Sequence, residues 1–336
     1  MAIFMPELFG AGGQRSMLNL AHGIAALGYP MDLVLAKAKG EFLSEVHEPV
    51  NVVDLNASRA LTSAPALVRY LRRERPAAML SVFGFLNVVA LPAWRMSRVK
   101  TRMFVCEQNT VSMEAGNASS WGTRVTPHLM RRFYPWANGV VVVSRGVKDD
   151  MVRLTNLPRR HITVIYNPSV VSAEVQKKAS ESLDHPWFKP AQPPVLLAVG
   201  RLQPQKDYPL LLRTFAQVRQ TLPARLMILG EGKERPMLEA MIKELDLQKD
   251  VSLPGFVMNP YAYMARASLY VLSSRWEGLP TVLIEALCCG TSVVATDCPS
   301  GPREILRGGK YGRLVPVGDE TALTHAITAA VEKPSP

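Results

Sequence analysis

Two carboxylates and two cations carry the chemistry that can be read first. Glu277 and Glu285 stand eight residues apart in "SSRWEGLPTVLIEALCCG", around a Gly-Leu-Pro and an apolar run. Pro280 suits the first turn of a helix, where its missing N–H costs nothing, and Gly290 suits the helix end. Glu277 then lies in a loop before a helix N-terminus and Glu285 about one turn inside, on a different face. The unbonded N–H groups of a helix start favour an anion, and Gly278 lets a ligand approach the backbone. Carboxylates accept hydroxyl donors. A phosphate between two polyhydroxylated groups describes a nucleotide sugar, with Glu277 on the sugar and Glu285 on the ribose. The cations are Arg201 and Lys206 in "AVGRLQPQKD", five residues apart after the turn glycine Gly200. At the carboxyl end of a strand they suit phosphate oxygens; the plainer alternative is a pair of solvated surface cations. "ILGEGKE" adds a weaker glycine turn at Gly230 and Gly232.

These loops need strands and helices to hold them. "AIFMP" is a short apolar run stopping at "FGAGGQRS", followed by a helical pattern with Met17, Leu18, Leu20, Ala21, Ile24 and Ala25 on one face and Gly28 at its end. "MDLVLA", "AAMLSVF", "TRMFVCE" and "GVVVVS" read as buried parallel strands. After "HITVIYNP" a polar, finally Pro-rich segment intervenes, and then strands and helices alternate again: "VLLAVG", "ARLMILG", "VSLPGF", "ASLYVLSS" and "TSVVAT" are the strands. The expectation is an α/β protein of two Rossmann-like doubly wound domains facing across a deep cleft: an N-terminal domain over 1–172, a linker over 173–193 and a C-terminal domain over 194–336.

Composition limits the function classes. The 336 residues are 48% hydrophobic, which speaks against a disordered chain. No apolar run reaches the roughly 18 residues of a membrane span, and the N-terminus lacks a signal-peptide pattern. The cysteines Cys106, Cys288, Cys289 and Cys298 form no C-x-x-C pair, and the adjacent pair in an apolar helix reads as small core residues in a reducing cytosol. There is no Asp-x-Asp, and none of the six histidines pairs with another at ligand spacing. Residues 1–175 carry 20 Lys and Arg against 12 Asp and Glu, clustered in "RYLRRERP" and "RMSRVKTR". An acidic partner fits that excess, and so does a solvated helix face. "GAGGQR" departs from G-x-G-x-x-G at Arg15, and the second strand ends without a ribose-binding acid, so a nicotinamide dehydrogenase is disfavoured. No helix-turn-helix, zinc finger or aromatic-basic stacking motif supports a nucleic-acid protein.

The sequence resembles the retaining family 4 glycosyltransferases of the two-Rossmann-domain (GT-B) fold, bacterial lipopolysaccharide- and capsule-type enzymes in particular. The resemblance runs through "GAGGQRSMLNLAHGIAALGY", "VCEQNTVS", "VVVSRGVKDDM", "GRLQPQK", "GEG", "LPGF", "EGLPTVLIEALCCG", "CPSGPREIL" and "YGRLVPVGD". It implies transfer of a hexose or N-acetylhexosamine from a UDP-type nucleotide sugar to a surface glycan or lipid-linked acceptor, without metal or cofactor; a soluble sugar acceptor is the alternative. It implies Glu277 as the catalytic contact to the sugar, and Glu285 on the ribose. Gly200, Arg201 and Lys206 would hold the diphosphate, Gly278, Leu279, Pro280 and Thr281 would lie near sugar and phosphate, and Phe256 and Val257 would frame the base. Gly12 and Gly13 would approach donor phosphate and acceptor, with Gln108 and Asn109 beside them. Relatives often carry a His where "EQN" has Gln108, so a hydrogen-bonding role replaces a general base there, or Gln108 merely ends a strand. The long closing helix of the fold is expected to be short or missing at "AAVEKPSP".

A peripheral enzyme on the cytoplasmic leaflet is the matching expectation. Arg69, Arg72, Arg73 and Arg75 fall within two helical turns, and "HLMRRFYPW" mixes Met130, Phe133, Tyr134 and Trp136 with Arg131 and Arg132.

Overall fold

The computed structural model describes residues 1–10, 12–118, 120–168 and 172–333. The chain divides into two compact units, Met1–Ser169 and Val170–Pro336.

The first unit is built on a seven-stranded sheet: β1 Ala2–Met5, β2 Met31–Leu35, β3 Val50–Asp54, β4 Ala78–Val82, β5 Arg102–Glu107, β6 Gly139–Val142 and β7 Ile162–Val164. Their order is β3-β2-β1-β4-β5-β6-β7, every pairing parallel. The second unit repeats the scheme with β8 Val195–Val199, β9 Arg225–Leu229, β10 Val251–Gly255, β11 Leu269–Leu272, β12 Val293–Thr296 and β13 Arg313–Val315, in the order β10-β9-β8-β11-β12-β13. Parallel strands need crossovers, and the apolar runs are buried because helices cover the faces. β1, β8, β11 and β12 are buried at every residue but Val199. Each sheet reverses its winding once, between β1 and β4 and between β8 and β11. Successive loops there turn to opposite sides and leave a crevice at the carboxyl ends.

Several elements differ from the sequence reading. Strands β3 and β13 were not expected: β3 lies on an edge with only Val50 buried, and β13 is three residues long with one buried residue. The stretch 173–193, read as a linker, contains most of the helix Ser172–Ala179, which packs against the helices Tyr261–Met264 and Thr281–Cys288. Val175 is buried there, and Asn259 and Arg266 of the second unit donate to the carbonyls of Lys178, Ala179 and Glu181. Its polar composition reflects one solvated helix face. Gly12 and Gly13 open the helix Gly12–Ala26, where a loop was expected. Pro280 caps the helix Thr281–Cys288 from outside with extended ψ. Cys288 and Cys289 are half-buried at the end of that helix, with Cys289 packed on the edge of the core, while Cys106 and Cys298 are buried; all four are free thiols. The last described helix, Glu320–Glu332, packs on the helix Tyr208–Thr221.

Candidate active site

At the reversal point of the second sheet, the loops after β8 and β11 are stitched together. The loop after β8 carries Gly200 and Arg201 and runs into a tight turn at Pro204–Lys206. The loop after β11 carries Ser273 to Pro280. The Ser273 hydroxyl donates to the Lys206 carbonyl at 2.7 Å, and the Arg275 N–H donates to the Gln205 carbonyl at 2.8 Å. Lys206 Nζ lies 2.7 Å from Glu277 Oε1, with both side chains largely buried. The Ser274 hydroxyl donates to the same oxygen at 2.6 Å, and Gln205 Nε2 reaches the other at 3.3 Å and the Trp276 carbonyl at 3.0 Å. A buried carboxylate needs such partners, since stripping its water is otherwise costly.

Glycine is required where Lys206 crosses the end of β8. A Cβ at Gly200 would sit 2.8 Å from Lys206 Cε and 3.0 Å from the Tyr208 hydroxyl. The turn before Pro302 has the same origin: Gly301 has φ +94°, and a Cβ there would lie 2.3 Å from Pro280 Cδ and 3.1 Å from the Gly278 carbonyl. "CPSGPREI" is thus pressed against the loop that presents Gly278 and Leu279.

Glu285 is buried in the helix that follows. Both carboxylates act on one buried phenol: Tyr270 is pushed well above its ordinary range by burial, then by Tyr208, Glu277 and Glu285. Burial and Glu277 also push up the Tyr208 phenol and the Cys298 thiol. The Tyr270 phenol thus senses both members of the spaced pair. Leu279 and Thr281 are buried beside it, and Arg201 is exposed at the end of β8. Phe256 and Val257 follow the edge strand β10; Phe256 is exposed and Val257 packs on the core. Gln205, Ser273, Ser274 and Tyr208 were missed by the sequence reading. Nothing in "LQPQKDY" marks the glutamine as a clamp until the two loops are seen to touch.

The first unit places its expected residues at its own reversal point. A Cβ on Gly13 would lie 3.4 Å from Gln108 Oε1 and 3.5 Å from the Phe83 ring. Gln108 does more than end a strand: its Oε1 accepts from Asn167 Nδ2 at 2.7 Å, and its Nε2 faces Cys106 Sγ at 3.3 Å. Asn109 turns aside to Glu114 at 2.6 Å and accepts from the Thr110 N–H. Glu107, not singled out from the sequence as a site residue, is buried and accepts from Asn87 at 2.8 Å and from the Tyr134 hydroxyl. Burial raises its carboxyl to about 8, against the opposing pull of the Tyr134 and Asn87 hydrogen bonds.

The aromatic-basic segment is corrected. Met130 and Tyr134 are core, Phe133 packs on Trp136, and the guanidinium groups of Arg95 and Arg132 stand over the Trp136 ring. Arg72 donates to the Met96 and Ser97 carbonyls. The exposed face of the helix Trp121–Phe133 instead carries Trp121, Leu129, Arg124, Arg131 and Arg132. Among the described residues, no three His, Cys, Asp or Glu come together as a metal site, and no helix is long and apolar enough to cross a membrane.

Residues 180–336 match the family described as "Glycosyl transferases group 1", and residues 10–169 match "Glycosyltransferase Family 4". The chain is 30% identical, over 99% of its length and 90% of the relative's, to the N-acetylgalactosamine-N,N'-diacetylbacillosaminyl-diphospho-undecaprenol 4-alpha-N-acetylgalactosaminyltransferase of Campylobacter jejuni. It is 29% identical, over 81% of its length and 73% of the relative's, to the amylovoran biosynthesis glycosyltransferase AmsD of Erwinia amylovora. Among solved structures, Anabaena HepE with UDP superposes at a TM-score of 0.70 and 22% identity, over 99% of this chain and 90% of that one. Sucrose-phosphate synthase from Thermosynechococcus elongatus superposes at 0.80 and 18% identity, again over 99% and 90%. At those identities the structural likeness speaks for the fold alone.

Proposed function

The chain belongs to the family 4 glycosyltransferases, and we propose that it moves a hexose or N-acetylhexosamine from a UDP-sugar to a glycan or lipid-linked acceptor, with retention of anomeric configuration. The observation that carries this reading is the buried Lys206–Glu277 pair at the reversal point of the second sheet, clamped by Ser274 and Gln205. A cation and a carboxylate held together in one crevice match a ligand with a phosphate beside a sugar. An ammonium has three donors, so Lys206 can serve Glu277 and a diphosphate oxygen at once. Arg201 supplies the second cation. Charge develops on the diphosphate as its bond to the anomeric carbon breaks, and cations fixed in advance stabilise that charge without rearrangement. Glu277 orients the sugar by accepting its hydroxyls, Glu285 the ribose, and Phe256 and Val257 frame the base. The new bond forms from an acceptor hydroxyl, whose proton passes to the leaving phosphate. No metal ion is required in this scheme. In the first unit, Gly12, Gly13, Gln108 and Asn109 meet acceptor or phosphate.

The relative from Campylobacter jejuni bears a name that specifies an undecaprenyl-diphosphate-linked acceptor. A lipid-linked acceptor fits the helix Trp121–Phe133, whose exposed Trp121 and Leu129 stand among Arg124, Arg131 and Arg132. Such a face suits a peripheral protein at an anionic cytoplasmic leaflet.

A panel of nucleotide sugars tests the donor. A ligand present at about 100 times its dissociation constant adds about 2.7 kcal/mol of stability, so UDP-sugars should raise the melting temperature, with chelator present or absent. Failure of every UDP-sugar to do so overturns the donor assignment, and an inverted product overturns the stereochemistry.

A further inference from the structure

We propose that Phe83 and Phe85 form a stacking platform for a pyranose ring of the acceptor, and that this platform selects the acceptor; the proposal rests on the glycosyltransferase reading above. Phe83 follows β4 with φ 75° and ψ 131°. A bulky residue with positive φ is an outlier, and such strain persists only where the surroundings impose it. Here they do. The Phe83 N–H donates to the Cys106 carbonyl at 3.1 Å, and the Phe83 carbonyl accepts from the N–H groups of Leu86 and Asn87 at 2.9 Å. The Asn87 side chain in turn braces the Cys106 carbonyl, Glu107 and Tyr134. Gly84, next in the chain, lies against Met130: a Cβ there would meet the movable Met130 Cε at 2.2 Å. Glycine would hold the Phe83 conformation without strain, so packing of the backbone alone gives no reason for a phenylalanine.

The strained turn delivers two rings to one place. Phe83 and Phe85 stack with centroids 6.4 Å apart and planes 15° from parallel. Phe83 lies beside Gly13 and the Gln108 carboxamide, at the point where the first sheet reverses. Part of the Phe83 ring packs on the core, which explains its partial burial. That leaves Phe85 unexplained, with 46% of its surface exposed. Paired aromatic faces beside fixed amides match a ligand with an apolar C–H face and a rim of hydroxyls. The electron-rich face of a ring attracts the C–H groups, while Gln108, oriented by Asn167, offers hydrogen bonds to the rim. A pyranose has that chemistry.

The test uses the full chain saturated with UDP, so that its donor site is filled. The probes are the methyl α- and β-glycosides of glucose, galactose, N-acetylglucosamine and N-acetylgalactosamine, with binding followed by NMR. At least one glycoside should bind, with ring protons shifted upfield by an aromatic face. Phe85→Ala and Phe83→Leu should each weaken it about tenfold, and Phe85→Tyr should restore it. Phe83→Gly should lose the glycoside, while UDP binding by calorimetry stays at the wild-type value. Equal glycoside affinity in wild type, Phe85→Ala and Phe83→Leu overturns the proposal, as does the absence of any glycoside binding. If Phe85→Ala instead weakens UDP by the same factor, the rings serve the nucleotide and the proposal falls. UDP binding to wild type is measured separately by calorimetry. Its absence would strike the donor reading and leave the glycoside result to stand or fall by itself.

Discussion

Lys206→Met isolates the charge at the centre of the candidate site. The methionine retains much of the apolar stem that crosses Gly200, so little cavity forms, and what is lost is the cation 2.7 Å from Glu277. At that distance the attraction is about 6 kcal/mol for an effective dielectric constant of 20. Part of this offsets the cost of drying both ions. The Ser274 and Gln205 hydrogen bonds to Glu277 survive the substitution. Removing one member of a buried pair costs about 3–5 kcal/mol, and the surviving donors place this site near the lower end, at about 3 kcal/mol. For a unit of this size that lowers the melting temperature by about 6–12 °C. Urea denaturation at pH 7, without nucleotide, reads the loss directly. Glu277→Gln in the same background should recover most of it, because the stranded charge is then gone. A loss below about 1 kcal/mol, or single and double variants that add within about 0.5 kcal/mol, would show that the pair does not hold the two loops together.

Three further outcomes are expected. Glu277→Ala should abolish most transfer while UDP affinity, measured by calorimetry, stays near that of wild type; near-normal turnover would remove Glu277 from the sugar. Glu107 is held at about 8 against an ordinary 4.5, so between those values the folded state binds the extra proton and stability falls as pH rises, by at most about 1.4 kcal/mol per pH unit. Glu107→Gln should remove that slope, and identical pH–stability curves for variant and wild type would contradict the buried neutral carboxyl. Replacing Trp121 with Ser and Arg124, Arg131 and Arg132 with Gln should release the protein from anionic vesicles in a sedimentation assay, at about 1 kcal/mol per cation near the surface; a wild type that never sediments at low salt would leave that face a solubilising surface.

What could be read from the sequence was whatever is periodic or punctuated. The buried strands of both sheets announce themselves as short Val-, Leu- and Met-rich runs, because helices cover both faces and no alternation is needed. The edge strands β3 and β13 do not, since their mostly solvated residues lack that run. In the site, Gly200, Lys206, Glu277 and Glu285 stand out by type and by position at strand ends. Gln205 does not, because its contact with Glu277 crosses 72 positions of chain; Ser274 and Tyr208 bond groups three and eight residues away, and nothing in their type marks them in sequence. The arginine-aromatic segment misled for a related reason. One helical turn put Met130 and Tyr134 in the core and left Trp121, outside the quoted motif, exposed. The strain at Phe83 has no signature in residue type.

Each unit is contiguous, and each sheet closes within its own half of the sequence. During synthesis the first unit is therefore complete while the second is still being made. At about 5–20 residues per second, the 167 residues of Val170–Pro336 take roughly 8–33 s to emerge. Every strand pairing in the nascent first unit is parallel and non-local, the kind that forms slowly. For that interval its half-formed sheet edges stand open while the second unit is still being made. Chaperone demand should accordingly concentrate on ribosomes translating the second half of the message.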